Sequence, residues 1–404
     1  MTRTTKLFAA AALGILLGGA CQNDRLFRPA NFVPIDPLFT RYVSMGNSIT
    51  AGFQSGGIND STQLQSYAVL LANRMGSPFF EPLMNRPGCP APYTNVFTQT
   101  RVAGGPTTCA LRKTQAVPPP YISNTAVPGA EVLDGYNNLD AQSNANALTT
   151  FFLGGLTQAQ MMERARPTFL TVWIGNNDVL GAATNSANAG DSALVTPVGT
   201  FQTRYSALLD TIATVSPQGV VLIGVANVTA VPYFSRGSVY FAIKAGLVPG
   251  VAFPPNFAVA ANCAPARGDS VLVPFPVGAT LLGQATADTA NTYTLDCSIP
   301  QTVQPAELVN LVSTVTAYNA YISSQATARG WTYYNPNTAL DSLRTVATAV
   351  RAFPLIGQPC SANPFGTAFS CDAVHPSAAT HKLIANKLRQ AINAAYGTAI
   401  PAIF

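Results

Sequence analysis

The sequence predicts an α/β domain whose mainly parallel central sheet is covered by helices on both faces. Two observations lead there. Short, nearly continuous apolar runs recur along the chain, and strands buried on both faces of a sheet read in this way. Segments with helical spacing of apolar residues lie between them, the alternation expected when helices cross over between parallel strands.

The first apolar run is RYVSMG at 41–46, where Tyr42, Val43 and Met45 favour an extended chain. Gly46, Asn47, Ser48 and Gly52 follow, and turns select such residues. Ser48 therefore stands at a corner, where a serine suits either exposure or the cap of the next helix. QLQSYAVLLANRM at 63–75 and TQAQMMERAR at 157–166 read as helices, and FLTVWIG at 169–175 as the second strand. A helix at 201–214, the strand GVVLIGVANV at 219–228, a helix at 306–330 and a weaker strand WTYY at 331–334 continue the alternation. A last helix over 377–396 closes the domain. Two stretches break the pattern and read as insertions. Residues 77–125 are rich in Pro, Gly and Thr, and residues 231–305 are apolar and Pro-rich.

Composition narrows the function. At 404 residues with 48% hydrophobic content the chain can bury a large core, while only 10% of residues are charged, against about 25% in ordinary soluble domains. The formal net charge is +5 and no Lys/Arg-rich run occurs, so nucleic acid is not an expected partner.

The N-terminus, MTRTTKLFAAAALGILLGGAC, has the anatomy of an export signal: Arg3 and Lys6, an apolar stretch from Leu7 to Leu17, and small residues before Cys21. Loss of residues 1–20 would remove Arg3 and Lys6 and leave a net +3. The apolar stretch is too short to span a bilayer permanently. A cysteine after small residues resembles the lipobox of bacterial lipoproteins, whose cysteine is lipidated and begins the mature chain. Gly18 stands where that motif usually has leucine, with Leu17 one position further back. After Cys21, the stretch QNDRLFRPANFVPIDP contains Pro29, Pro34 and Pro37, so residues 21–38 read as a short tether from a lipidated Cys21 to a domain at 39–404. The expected location is the outer membrane or cell surface of a bacterium, otherwise the periplasm or the medium.

Six further cysteines remain: Cys89, Cys109, Cys263, Cys297, Cys360 and Cys371. An even number in an exported chain suggests three disulfides, for which sequence allows fifteen pairings. Sequential pairing, which closes three local loops, is the expectation. None of the six has CxxC spacing, which removes zinc and thioredoxin-like readings.

Three motifs carry chemistry. In CDAVHPSAATHKLIANKL, Asp372 precedes His375 by three residues and Pro376 follows it. Proline disfavours helix at the preceding residue and suits a helix's first turn, so His375 belongs at the end of a loop with its ring free. A carboxylate on one imidazole nitrogen fixes the tautomer and leaves the other nitrogen to take a serine proton. VWIGNNDVLG at 172–181 brings Asn176, Asn177 and Asp178 to the C-terminal end of a strand, the edge at which parallel α/β sheets bind ligands. A side-chain amide there suits an oxyanion. His381, six residues beyond His375, reads as a structural or surface residue, since no set of metal ligands surrounds it.

Together GNSIT, GNND and DAVH, with a weaker match in NTAVPGAEVLD at 124–134, resemble in order and spacing the signatures of the SGNH (GDSL) hydrolases. The resemblance covers about 40–396 and implies a flavodoxin-like three-layer α/β/α sandwich. It implies a serine esterase or lipase-type hydrolase in which Ser48 is the nucleophile, His375 the base and Asp372 its orienting partner. The Ser48 N–H, the Gly129 N–H and the Asn177 side chain would form the oxyanion hole. No cofactor or metal is called for, the partner is a small-molecule or lipid ester, and a monomer is expected. One departure stands out: Asn47 occupies the position where the family commonly has aspartate. The apolar stretches of 231–305 could cover an acyl-binding groove, or could simply pack a subdomain. The competing readings are a carbohydrate O-acetyl esterase and a surface binding protein that keeps the scaffold without turnover.

Overall fold

The computed structural model describes residues 33–105, 109–113, 119–137 and 147–404. The expected export segment, Cys21 and most of the expected tether lie outside the described residues. The central sheet contains β1 (Tyr42–Gly46), β2 (Phe169–Trp173), β3 (Gly219–Ile223) and β4 (Thr332–Tyr334), all parallel and adjacent in chain order. Tyr42 lies opposite Phe169, and Phe169 opposite Gly219.

Residues 123–127 run along the outer edge of β1 in the parallel sense. Ser44 N–H donates to Ser123 O at 2.9 Å, Thr125 N–H to Ser44 O at 2.9 Å and Val127 N–H to Gly46 O at 3.1 Å. With this edge segment the order becomes that of a flavodoxin-like sheet, whose crevice opens beside the first strand. The boundary of the first insertion is corrected accordingly, because Ser123 to Thr125 belong to the sheet. Their short bridge sits in a stretch too rich in small and turn-forming residues to show strand periodicity.

Helices α1 (Ser48–Ala51), α2 (Tyr67–Met75), α3 (Gln158–Ala165), α4 (Asn177–Ala183), α5 (Val198–Val215), α6 (Gly237–Lys244), α7 (Phe275–Ala287), α8 (Pro305–Ala328) and α9 (Ala378–Tyr396) complete the parts used below. The strands alternate as buried β-strands must. Val43, Leu170, Val172, Val220 and Leu222 pack against α3, α5 and α8, through residues such as Ala165, Leu208 and Ile322. Tyr42, Phe169, Trp173, Val221 and Ile223 face α2 and α9, through Leu71, Ile384 and Leu388. Two apolar layers thus sandwich one sheet, and each fully buried aliphatic side chain contributes about 1.5–3 kcal/mol.

Boundaries differ where side chains intervene. The helix expected from 63 begins at Tyr67, because Ser66 accepts the Ala68 N–H at 3.2 Å and caps it. β3 stops at Ile223, short of 228, because the Val225 N–H turns to Asn319 Oδ1 on α8 at 2.7 Å. The second insertion carries α6, α7 and two small ribbons around a core of its own that includes Tyr240, Phe257, Val273 and Leu295. The six cysteines pair sequentially as Cys89–Cys109, Cys263–Cys297 and Cys360–Cys371. Among the described residues no helix is long and apolar enough to cross a membrane.

Candidate active site

β1 ends at Gly46, where a Cβ would stand 2.4 Å from Thr50 Oγ1 and 2.5 Å from Trp173 O. Only glycine lets the chain turn this tightly against its neighbours. Asn47 then caps α1, its Oδ1 accepting the Ile49 N–H at 3.1 Å. Ser48 is the first residue of that helix, so its N–H has no intrahelical acceptor. The opening alternatives for this serine are therefore separated: Asn47 makes the cap, and the Ser48 hydroxyl is left for another partner.

That partner is His375, whose Nε2 lies 2.9 Å from Ser48 Oγ. Its Nδ1 lies 2.9 Å from Asp372 Oδ2. The ring is presented from a loop that ends at Pro376, just before Ser377 caps α9, and Phe53 packs against it with ring centroids 4.9 Å apart. Asp372 is held on both oxygens. Oδ1 accepts the N–H groups of Val374 and His375 at 2.9 Å and Ser370 Oγ at 3.1 Å, while Oδ2 also accepts the Gly56 N–H at 2.6 Å. Burial pushes this carboxyl's pKa up, but the His375 charge and the hydrogen bonds outweigh burial and hold it at about 2. An ionised carboxylate only accepts, so Nδ1 carries the ring hydrogen in neutral His375 and Nε2 turns its lone pair to Ser48.

The edge segment and β2 deliver the other two candidates. Val127 to Ala130 form a turn closed by Ala130 N–H to Val127 O at 3.1 Å, with Pro128 second and Gly129 third at φ +83°. This is the arrangement of a type II turn, whose third position favours glycine. Asn177, at the start of α4, donates from Nδ2 to Ala130 O at 2.8 Å. One N–H of the amide is thereby fixed and the other is oriented. Asp178 accepts the Val132 N–H at 3.0 Å, a second tie between the two loops. Its burial and the nearby Glu131 push its carboxyl up to about 7. Asn47 joins the same region, donating from Nδ2 to Asn176 Oδ1 at 3.3 Å.

The structure thus brings Ser48, His375 and Asp372 into one hydrogen-bonded series and unites Gly129 with Asn177 through Ala130. The supports of Asp372 escaped sequence reading. Gly56 and Ser55, whose N–H donates to Ser370 Oγ at 2.8 Å, lie more than 300 residues from the loop they brace. Only the turn-forming SGG triplet at 55–57 hinted at a special backbone there.

His381 is fully buried and accepts the Tyr67 N–H on Nδ1 at 3.3 Å. Burial, with the nearby His375 charge, lowers its pKa to about 3, so it serves α2 as a neutral acceptor. Among the described residues no group of three His, Cys, Asp or Glu side chains could hold a metal. The second insertion reaches the site through Tyr233 and Phe275, which pack with Phe365 on Ala373, the residue after Asp372. An apolar groove of about 1000 Å³, lined by Val251, Phe253, Leu282 and Phe353 among others, does not include Ser48 or His375.

The family model described as GDSL-like Lipase/Acylhydrolase matches residues 42–388. Solved structures similar to this chain include a catalytic mutant of an acetylxylan esterase from Geobacillus stearothermophilus, at 12% identity and TM-score 0.36, covering 87% of this chain and 94% of the other. An extracellular lipase from Streptomyces rimosus is similar at 14% identity and TM-score 0.36, covering 87% of this chain and 99% of the other. The comparison with curated proteins gave no match.

Proposed function

The chain belongs to the GDSL-like lipase/acylhydrolase family and is a carboxylic ester hydrolase; on that premise we propose that it works by acyl transfer through Ser48. The observation that carries this reading is the unbroken series from Ser48 Oγ through His375 Nε2 and Nδ1 to Asp372 Oδ2, 2.9 Å at each contact. Ser48 Oγ attacks the ester carbonyl while His375 Nε2 takes its proton, and the imidazolium is stabilised by Asp372. The oxyanion that forms accepts hydrogen bonds from the N–H groups of Ser48 and Gly129 and from the Asn177 amide. Collapse expels the alcohol, which takes the proton from His375. Water activated by His375 then attacks the acyl-enzyme, and Ser48 recovers its proton as the acid leaves.

A fluorophosphonate tests this directly, because only an activated serine reacts with it. We expect the wild-type protein to be labelled on Ser48, and Ser48→Ala to be folded, unlabelled and inactive on p-nitrophenyl esters. A wild-type protein that resists the reagent, or one labelled on another residue, would remove Ser48 as the nucleophile.

For the substrate we propose lipid or medium-chain esters. Supporting this are the apolar residues of the second insertion and their packing on Ala373 beside Asp372. Rates on p-nitrophenyl esters of increasing chain length, set against acetate release from acetylated xylan, decide between this and carbohydrate deacetylation.

We also propose export and lipid anchoring through Cys21. The charged and apolar pattern before that residue supports it, as do three disulfides, which persist in oxidising compartments. Labelled fatty acid should enter the wild-type protein and not Cys21→Ser, which should leave the membrane fraction.

A further inference from the structure

The Gly56 N–H that supports Asp372 comes from a turn that carries backbone strain at Ser55. Gln54 and Gly57 exchange backbone hydrogen bonds at 2.9 and 3.1 Å, and Ser55 and Gly56 between them have φ of +54° and +64°. Both central residues lie in the left-handed region, as in a type I′ turn. Glycine adopts that conformation freely, whereas serine does so at a cost of about 1–2 kcal/mol. The outward N–H groups of this turn serve the site: Ser55 donates to Ser370 Oγ and Gly56 to Asp372 Oδ2.

The carbonyls of the same two residues are gripped from the other side by the hairpin of the first insertion, whose strands are Tyr93–Asn95 and Thr100–Arg101. Tyr93 N–H donates to Ser55 O at 2.7 Å, and Arg101 Nη1 donates to Gly56 O at 2.8 Å and to Ala91 O at 2.5 Å. The Arg101 guanidinium lies 3.6 Å from the Tyr93 ring centroid. That ring in turn closes over Gly56, where a Cβ would come within 2.5 Å of Tyr93 Cε2. The hairpin lies inside the loop closed by Cys89–Cys109.

The geometry points to Arg101 as a positioning residue: it clamps the 54–57 turn so that the Gly56 N–H fixes Asp372 Oδ2 against His375 Nδ1. This inference rests on the proposed role of Asp372. The first insertion then acts on catalysis without touching substrate. Displacement of an acid–base group by about 1 Å can lower a rate about a hundredfold, and a partial loosening of one of five hydrogen bonds to Asp372 should lower it less.

A double-mutant cycle on kcat with p-nitrophenyl acetate tests the clamp. In the otherwise wild-type protein Arg101→Met should lower kcat roughly tenfold with KM within about twofold. In an Asp372→Asn background, where the carboxylate to be positioned is gone, the same change should cost less than about twofold. Arg101→Lys, which keeps a donor for the two carbonyls but lacks the planar face that lies on Tyr93, should recover part of the loss. A tenfold loss in both backgrounds, or none in the wild type, overturns the proposal while leaving the triad intact. An Asp372→Asn variant of undiminished kcat would instead remove the triad reading, and the clamp with it. Should Arg101→Met fail to fold, Arg101→Lys carries the same cycle with an expected loss of about threefold.

Discussion

Asn47 and Asn176 meet side chain to side chain, Nδ2 of the first donating to Oδ1 of the second at 3.3 Å. Each immediately precedes a residue of the proposed machinery, Ser48 and Asn177. Because Asn47 Oδ1 already accepts the Ile49 N–H, both ends of its amide are in use. Aspartate at 47, the common family residue, would keep the cap but lose the donor. Asn176 can answer by turning its amide, so Asn47→Asp should keep kcat within about threefold, the cap being retained. Adding Asn176→Asp places two acceptors against each other in a buried contact and should cost about 1–3 kcal/mol in urea unfolding. A loss above a hundredfold from Asn47→Asp alone would show that the amide donor is itself needed for turnover.

The amide of Asn177 is tied to Ala130 O, next to Gly129, so its removal should act on the transition state. Asn177→Ala is expected to lower kcat about 10²- to 10³-fold with little change in KM. An effect confined to KM would make Asn177 a substrate-binding residue.

Two buried groups set opposite limits on stability with pH. Burial pushes the Glu81 carboxyl from its ordinary 4.5 up to about 8, with an opposing hydrogen bond from Asn124. Between those values the unfolded chain loses a proton that the folded chain keeps, so stability should fall as pH rises through this window. His381 is the reverse case. Its pKa falls from 6.5 to about 3 on folding, so the unfolded chain alone binds a proton below pH about 6.5 and stability should fall as pH drops toward 3. Glu81→Gln should flatten the alkaline limb of Tm against pH, and His381→Asn, which keeps an acceptor for Tyr67, the acid limb. Unchanged limbs in these variants would show that other groups govern them.

Cys371 adjoins Asp372 and is bonded to Cys360 eleven positions earlier. A loop of this size stabilises by about 2–3 kcal/mol through the unfolded chain, yet its place suggests a local effect as well. The paired Cys360→Ser, Cys371→Ser variant should lose activity at temperatures where circular dichroism still reports a folded sheet. Coincident loss of activity and structure would show that the bond braces only the whole fold.

The sequence by itself determined the sheet, its two covering layers and which serine, histidine and aspartate meet. Apolar runs such as FLTVWIG can be satisfied only by burial on both faces, and a Pro376 after His375 fixes a loop end by local sterics, so both are legible without a partner. Sequential pairing of the six cysteines was one of fifteen pairings the sequence allowed, favoured because each bond closes a local loop. What only the tertiary structure decided lies at long separations. Ser48 and His375 are 327 residues apart, and their 2.9 Å contact depends on how α1 and the loop before α9 are placed by the sheet between them. The edge segment at 123–127 has too few paired residues to impose a period on its sequence. The grip of Tyr93 and Arg101 on the Ser55–Gly56 turn leaves only the SGG triplet as a sign of a special backbone, because a hydrogen bond to a backbone carbonyl does not mark in the sequence which distant side chain donates it.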